Sequence, residues 1–156
     1  MAQEKWLVDG PKTIDIESAR SLKVGLIGGQ IDIVAHDEPG VRVEVHSVSG
    51  KPLKVSVDGD TVEIDHPQLS WDNWIEVFRS WTGRAKADVS VMVPRDIRVK
   101  LGVVSASALL SGVNEDASLS TVSGDLVIDS VSGDLSLNSV SGEITVRNHY
   151  GKIDAH

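Results

Sequence analysis

Apolar and polar residues alternate in short runs along most of this chain. Alternation with a period of two predicts strands, because successive side chains of a strand point to opposite faces of a sheet. Turn-forming residues separate the runs, and Asp58 and Gly59 predict a tight hairpin between two of them. The clearest runs lie at residues 14–16, 24–26, 31–33, 41–45, 55–57, 62–64, 89–93 and 97–101.

Near the C-terminus this alternation becomes a nonapeptide repeat. Residues 122–130, 131–139 and 140–148 each begin with Val-Ser-Gly, continue with Asp or Glu, and place apolar residues at the first, fifth and seventh positions. The fifth and seventh residues point to one face of a strand, and Ser-Gly supplies a corner. The same spacing of apolar residues continues upstream of residue 122, where the similarity between the units becomes weaker. Such a short fixed period predicts units that stack on their neighbours.

A single nonapeptide cannot fold alone. Burial of three aliphatic side chains stabilises it by roughly 5–9 kcal/mol, whereas ordering nine backbone residues costs roughly 9–18 kcal/mol. The units must therefore stack, and strands that alternate with corners predict an all-β, single-stranded β-solenoid. We predict that two nonapeptides form one turn, which places Val122 over Val140 and Asp125 over Glu143. A three-sided coil is the alternative.

Residues 67–86 break the strand pattern. Their apolar residues recur at helical spacing, which predicts a short amphipathic helix near residues 70–82. We expect this helix to cover the core of the coil as a hydrophobic plug. The alternatives are a surface that docks a partner and a contact with a membrane interface. The aromatic residues of the stripe are Trp71, Trp74, Phe78 and Trp81.

The chain of 156 residues is long enough for one ordinary domain. We predict a single β-solenoid domain over 1–156, with degenerate strands over 1–66, the Trp-rich insertion over 67–86 and regular repeats over 87–156. The repeat stops within a unit at His156. This indicates either a chain that is truncated at the C-terminus or a short natural member of its class.

Charge and composition narrow the classes of partner. The net charge is −8, which repels nucleic acid and anionic lipid headgroups. The chain has no cysteine, which excludes disulfides and thiolate metal sites. The N-terminus lacks an apolar run of signal-peptide length, and this predicts a cytoplasmic protein.

No catalytic, cofactor or metal site is expected. Nonapeptide repeats also occur in calcium-binding β-rolls. Here, however, each unit has only one glycine, and a lysine replaces the acidic residue in the last unit. This pattern favours an acidic edge exposed to solvent. The five histidines show no spacing typical of ligands, and Ser-Gly-Asp recurs as a corner and not as a single nucleophile. The acidic position reads Asp116, Asp125, Asp134, Glu143 and Lys152.

The tandem Val-Ser-Gly-Asp signature at residues 122–143 resembles the bacterial Toastrack family of β-strand-repeat proteins, which are labelled as candidate adhesins. Residues 37–45, the Trp-bearing segment and residues 93–97 resemble the cytoplasmic form common in actinobacteria. The resemblance implies a β-solenoid without established catalytic residues. In some relatives this domain stands beside membrane-stress signalling domains.

These observations predict a non-catalytic scaffold or protein-interaction module. The partner would bind along a flat face of the coil or through the Trp stripe. A self-assembling, bactofilin-like element that stacks end to end is the structural alternative. An adhesin-like binder is a third reading, which rests on the family label alone. We do not expect an enzyme, a cofactor or a nucleic-acid partner.

Overall fold

The computed structural model describes residues 3–49, 53–65 and 86–155. Every regular element in these ranges is a strand, which confirms the all-β fold class, and none of the described residues forms a helix able to span a membrane. The helix predicted near residues 70–82 lies outside the described residues. The strands are β1 (Gln3–Val8), β2 (Lys12–Ile16), β3 (Ser21–Leu26), β4 (Gly28–His36), β5 (Val41–Ser49), β6 (Leu53–Asp58), β7 (Thr61–Asp65), β8 (Lys86–Pro94), β9 (Arg98–Val103), β10 (Ser107–Ser111), β11 (Ala117–Thr121), β12 (Leu126–Asp129), β13 (Leu135–Ser139), β14 (Ile144–Arg147) and β15 (Ile153–Ala155).

The described strands form two sheets. Sheet A has the order β1-β6-β7-β3-β9-β11-β13-β15, and sheet B has the order β14-β12-β10-β4-β8-β5-β2. Alternate side chains of both sheets belong to one core cluster, which draws on nearly every strand. Its members are mostly Val, Ile and Leu, as the alternating runs of the sequence require. Each sheet therefore has one buried face and one outer face.

From β9 onward the chain crosses from one sheet to the other at every corner. Strands that are two apart in the chain pair in parallel with a register of 18 residues, so that Ala117 pairs with Leu135 and Leu126 with Ile144. The N–H of Ser141 reaches the carbonyl of Val122 at 2.8 Å. The predicted stacking of every second nonapeptide is confirmed, and in these residues successive strands alternate between two sheets and not three. We call this stacked arrangement of strands the coil.

The serine of each Val-Ser-Gly corner is bonded to the turn before it. In Ser141 the backbone N–H and the hydroxyl both donate to the carbonyl of Val122, at 2.8 and 3.1 Å. Ser105, in the related Val-Ser-Ala corner of residues 104–106, does the same to the carbonyl of Ile27, at 2.8 and 2.9 Å. A corner leaves the regular ladder of a sheet, and its backbone groups still need partners. The serine supplies them.

The glycine of the corner is required by close approach of two backbones. A methyl group on Gly124 would overlap the carbonyl oxygen of Ala106 in the preceding turn, and Gly142 stands in the same relation to Gly124. Successive turns therefore approach at these corners more closely than any residue with a Cβ allows.

The acidic position that follows the glycine is also structural. The Oδ1 atom of Asp116 accepts the N–H of Asp134 at 2.9 Å, and the Oδ1 atom of Asp125 accepts the N–H of Glu143 at 3.2 Å. Each carboxylate thus satisfies an amide one turn further along the coil. The sequence predicted a solvated acidic edge. These side chains are exposed, as predicted, but they also connect the turns.

The first apolar position of the repeat departs from the prediction. Val131 is fully buried, Val122 is half-buried, and Val140 is 74% exposed although it was expected in the interior. Val140 lies at a corner directly over Val122. Among the described residues no further corner stacks on it, so it keeps its contact with water.

A coil along the whole chain is wrong for the N-terminal half. Strands β3 and β4 do form a turn of the coil, since they pair in parallel with β9 and β10. Strands β1, β2, β5 and β6, in contrast, pair antiparallel with their neighbours, and β6 and β7 form the hairpin predicted at Gly59. Parallel and antiparallel strands show the same alternation of apolar and polar residues. The sequence pattern therefore did not distinguish the two kinds of pairing.

Candidate interaction surface

The four aromatic residues predicted as an interaction surface, Trp71, Trp74, Phe78 and Trp81, lie outside the described residues. The strands that flank them are described. Asp65 at the end of β7 pairs with Gly25, and Lys86 at the start of β8 pairs with Gly28. The described residues on either side of the Trp-rich segment therefore lie in different sheets. At the β3–β4 corner a single residue, Ile27, separates a strand of sheet A from a strand of sheet B.

Histidines occupy separate places in the described structure. The Nε2 atom of His36 lies 2.7 Å from the Gly40 carbonyl, and that of His149 lies 2.7 Å from the Gly133 carbonyl. The Nε2 atom of His46 lies 2.9 Å from the Ser90 hydroxyl. The described residues contain no group of three or more histidine, aspartate or glutamate side chains arranged to hold a metal ion.

The outer face of sheet B carries an apolar strip that crosses four neighbouring strands. Val34 on β4 is 41% exposed and pairs with Met92 on β8, which is 40% exposed. On the other side, Leu109 of β10 pairs with Val127 of β12, and both are half-buried. The two pairs are diagonal neighbours across β4 and β10. An apolar strip on an outer sheet face is typical of a contact surface.

An open groove of about 810 Å³ adjoins the strip at Met92. It lies between the end of β2 and the loop of residues 37–40 that joins β4 to β5. We call it the acidic groove, because its charged lining is dominated by carboxylates. The carboxylates and the one guanidinium that line it are Asp15, Glu17, Asp37, Glu38 and Arg42.

Two exposed ion pairs lie along the walls of the acidic groove. The Arg42 Nε atom donates to the Asp15 Oδ1 atom at 2.8 Å, and this hydrogen bond, followed by the charge of Asp15, raises the pKa of Arg42. The Arg95 Nε atom donates to the Asp37 Oδ1 atom at 2.7 Å. That hydrogen bond, followed by the charge of Arg95, lowers the pKa of Asp37. Both pairs are exposed and stabilise the fold only slightly.

The loop of the acidic groove is held by further contacts. His36 spans it by approaching the Gly40 carbonyl. A methyl group placed on Gly40 would lie 2.8 Å from the carbonyl oxygen of Ile16, so the loop lies directly against the end of β2. These contacts hold the loop in one position relative to Met92 and the strip.

Asp65, at the root of the insertion, has an unusual environment. Its Oδ1 atom is enclosed, and no hydrogen-bond partner is found for it in the part of the chain that the structure describes. Burial raises the pKa of Asp65 to about 6, the charge of Lys54 lowers it, and the charge of Glu63 raises it. In the folded chain this carboxyl group therefore has a pKa of about 6.

The sequence contained a signal for the strip that the analysis of runs did not use. Val34 follows Ile33, Met92 stands between Val91 and Val93, and Leu109 precedes Leu110. Two consecutive apolar residues in a strand point to opposite faces, so one of each pair must face outward. The acidic groove had no such signal, because it depends on how β2 lies relative to the β4–β5 loop.

No family model and no curated protein matches this chain. Among solved structures, a candidate cell adhesion protein from Clostridium sporogenes ATCC 15579 matches 93% of this chain and 98% of its own, with 12% identity and a TM-score of 0.49. A candidate adhesin from Bacteroides fragilis NCTC 9343 matches 94% and 97%, with 11% identity and a TM-score of 0.27. A candidate lipid binding protein from Parabacteroides distasonis ATCC 8503 matches 94% and 97%, with 9% identity and a TM-score of 0.28.

Proposed function

We propose that this chain is a non-catalytic β-solenoid scaffold that binds a protein partner on the outer face of sheet B. The observation that supports this proposal is the apolar strip. Val34 and Met92 remain about two-fifths exposed on a face where alternation normally places polar residues. Burial of such a strip is favourable, and its polar surroundings form the rim that protein interfaces commonly have.

The scaffold suits this role because its turns are tied to one another. Serine, glycine and aspartate at the corners hold each turn to the next through the bonds of Ser141 to Val122 and of Asp134 to Asp116. A surface built on such strands loses little conformational freedom when it binds, which favours affinity.

The resemblance of the sequence to the Toastrack family adds two hypotheses about context. The partner would belong to membrane-stress signalling, and the protein would act in the cytoplasm. The adhesin label of that family favours a binder at the cell surface instead. Fractionation of the native host, followed by detection of the protein, distinguishes the two locations.

Photo-cross-linking tests the proposed surface. A photoreactive amino acid is placed at Val34, and in a matched variant at Ser136 on the outer face of sheet A. In the native host, the Val34 variant should capture a specific partner that then binds the purified protein, whereas the Ser136 variant should not. Equal capture at both positions, or binding that survives Val34→Asp, would contradict the proposal.

End-to-end self-association is a second candidate, and strand direction favours it. In the described residues β14 and β15 at one end, and β1 and β2 at the other, each pair with one neighbour only. Two antiparallel pairings separate β1 from the parallel strands, so β1 and β15 run in the same direction. Likewise β2 and β14 run in the same direction. A second copy could therefore continue both sheets, and sedimentation over a range of concentrations would show growing polymers.

A further inference from the structure

We propose that the apolar strip and the acidic groove together bind a cationic, extended protein segment. In this segment a lysine or arginine is followed by aliphatic residues at the second and fourth positions after it. The inference rests on the proposed function, because it assumes that the partner docks on the strip. It adds the chemistry by which the partner is recognised.

The spacing of the strip favours an extended segment that crosses the strands. From Met92 on β8 to Val127 on β12 there are three inter-strand steps and an offset of two residues along the strands, which together span about 16 Å. Side chains on one face of an extended segment repeat every 6.6–6.8 Å, roughly, so two intervals cover most of that distance. Aliphatic side chains two residues apart can therefore contact the Val34–Met92 pair and the Leu109–Val127 pair in turn.

The charge of the acidic groove favours a cationic residue in the partner segment, before its two aliphatic residues. Asp15 and Asp37 are already paired with arginines, whereas Glu17 and Glu38 have no ion-pair partner among the described residues. Both glutamates are exposed and line the groove that Met92 borders. A partner cation placed there meets two carboxylates that are outside the two ion pairs, and the nearby charge of Arg42 offsets that of Glu38 only in part. The net charge of −8 attracts such a segment over a longer range.

The groove is also organised before any partner arrives. The contact of His36 with Gly40 and the Arg95–Asp37 pair hold the loop that carries Glu38. On the opposite wall, the Arg42–Asp15 pair holds the end of β2 next to Glu17. A cation therefore binds to carboxylates whose backbone is already in place, and little ordering accompanies binding.

An NMR titration tests the proposal: peptide is added to the protein at low ionic strength, and the amide signals of the protein are monitored. The probe is an acetylated, amidated peptide of sequence Arg-Ser-Leu-Ser-Leu. The matched peptides replace the arginine with glutamate or with serine, or both leucines with serine. The arginine–leucine peptide should shift the amide signals of Val34, Met92 and residues 37–40 in a saturable manner. Added salt should weaken this binding.

Variants of the protein separate the contributions of charge and apolar contact. Glu38→Lys should weaken binding of the arginine–leucine peptide at least fivefold, and Val34→Ser should weaken it to a similar extent. Glu143→Lys makes the same change of charge at an exposed site far from the groove, and it should leave affinity unchanged. All three positions are exposed, so the variants should fold, and their amide spectra verify this.

Several outcomes would overturn the inference. The glutamate peptide could bind as tightly, Glu38→Lys could have no effect, or the shifted amides could lie elsewhere or not shift at all. If the serine-for-arginine peptide shifts Val34 and Met92 equally well, the cation is wrong but docking on the strip survives. If photo-cross-linking at Val34 captures no partner, the proposed function itself fails.

Discussion

The backbone N–H of Lys152 donates a hydrogen bond to the Oδ1 atom of Asp134 at 3.1 Å, across one turn of the coil. The N–H of Asp134 in turn donates to Asp116 at 2.9 Å. The acidic position of the repeat therefore forms a column in which each carboxylate holds the amide of the next turn. Where a lysine ends the column, its amide is still bonded.

Removal of one carboxylate from this column should destabilise the last turns. Asp134→Ala leaves the Lys152 amide without its acceptor, and we expect the free energy of unfolding to fall by about 1 kcal/mol. Asp134→Asn keeps an oxygen at the same place and should cost less than half as much. Denaturant unfolding of both variants measures the difference. Equal losses would show that the carboxylate acts by charge and not as an acceptor.

The corner glycine should tolerate no side chain. Gly124→Ala forces the Ala106 carbonyl away, and we expect a loss of about 3 kcal/mol, typical of an overpacked site. Gly10→Ala is the control, because Gly10 has no atom near the position of the added methyl group. That variant should be neutral or slightly stabilising. Thermal unfolding of the Gly124→Ala and Gly10→Ala variants measures the difference. Similar melting temperatures for the two variants would contradict the close approach of the turns.

One corner contains a conformation that its residue disfavours. Ser130 has a φ of 57° and stacks between Gly112, with a φ of 87°, and Asn148, with a φ of 51°. Glycine and asparagine adopt this left-handed region more readily than serine. Ser130→Asn should therefore raise the free energy of unfolding by about 0.5 kcal/mol. Ser120→Asn, on a regular strand, should not raise the free energy of unfolding. Stabilisation of that variant would refute this explanation.

How far the sequence predicts this fold depends on the region. The nonapeptide period predicted the parallel pairing of Leu126 with Ile144, because a repeat places equivalent side chains at equivalent positions. It did not predict the insertion of β8 between β4 and β5. That pairing joins segments far apart in the chain, and no local pattern encodes the direction of a strand.

The candidate site was less predictable than the fold. The sequence directed attention to the Trp stripe. The surface now proposed lies instead on the outer face of sheet B, where Val34 and Met92 point away from the core. Their outward orientation follows from alternation once their strands are fixed. The groove beside them depends on the Arg95–Asp37 pair, whose members lie 58 residues apart. Such a contact exists only after the strands have paired.

The stability of the protein should depend on the titration of Asp65. Its pKa is about 6 in the folded chain and 3.8 as an ordinary carboxyl, so between these values the folded state binds more protons. The free energy of unfolding should therefore fall as pH rises from about 4 to 6, by about 1 kcal/mol after allowance for solvent screening. Asp65→Asn should remove this decrease and be more stable than the parent at pH 7. An unchanged pH profile in the variant would assign the decrease to other groups.

Cysteine cross-linking tests the 18-residue turn most directly, because the natural chain has no cysteine. Three double variants place one cysteine at Ser118 and the other at Val127, Ser136 or Thr145. In the structure Ser118 pairs with Ser136, while Val127 and Thr145 lie in the other sheet. A short thiol cross-linker should join the Ser118 and Ser136 positions alone. Preferential joining to position 127 or 145 would contradict a two-sided coil.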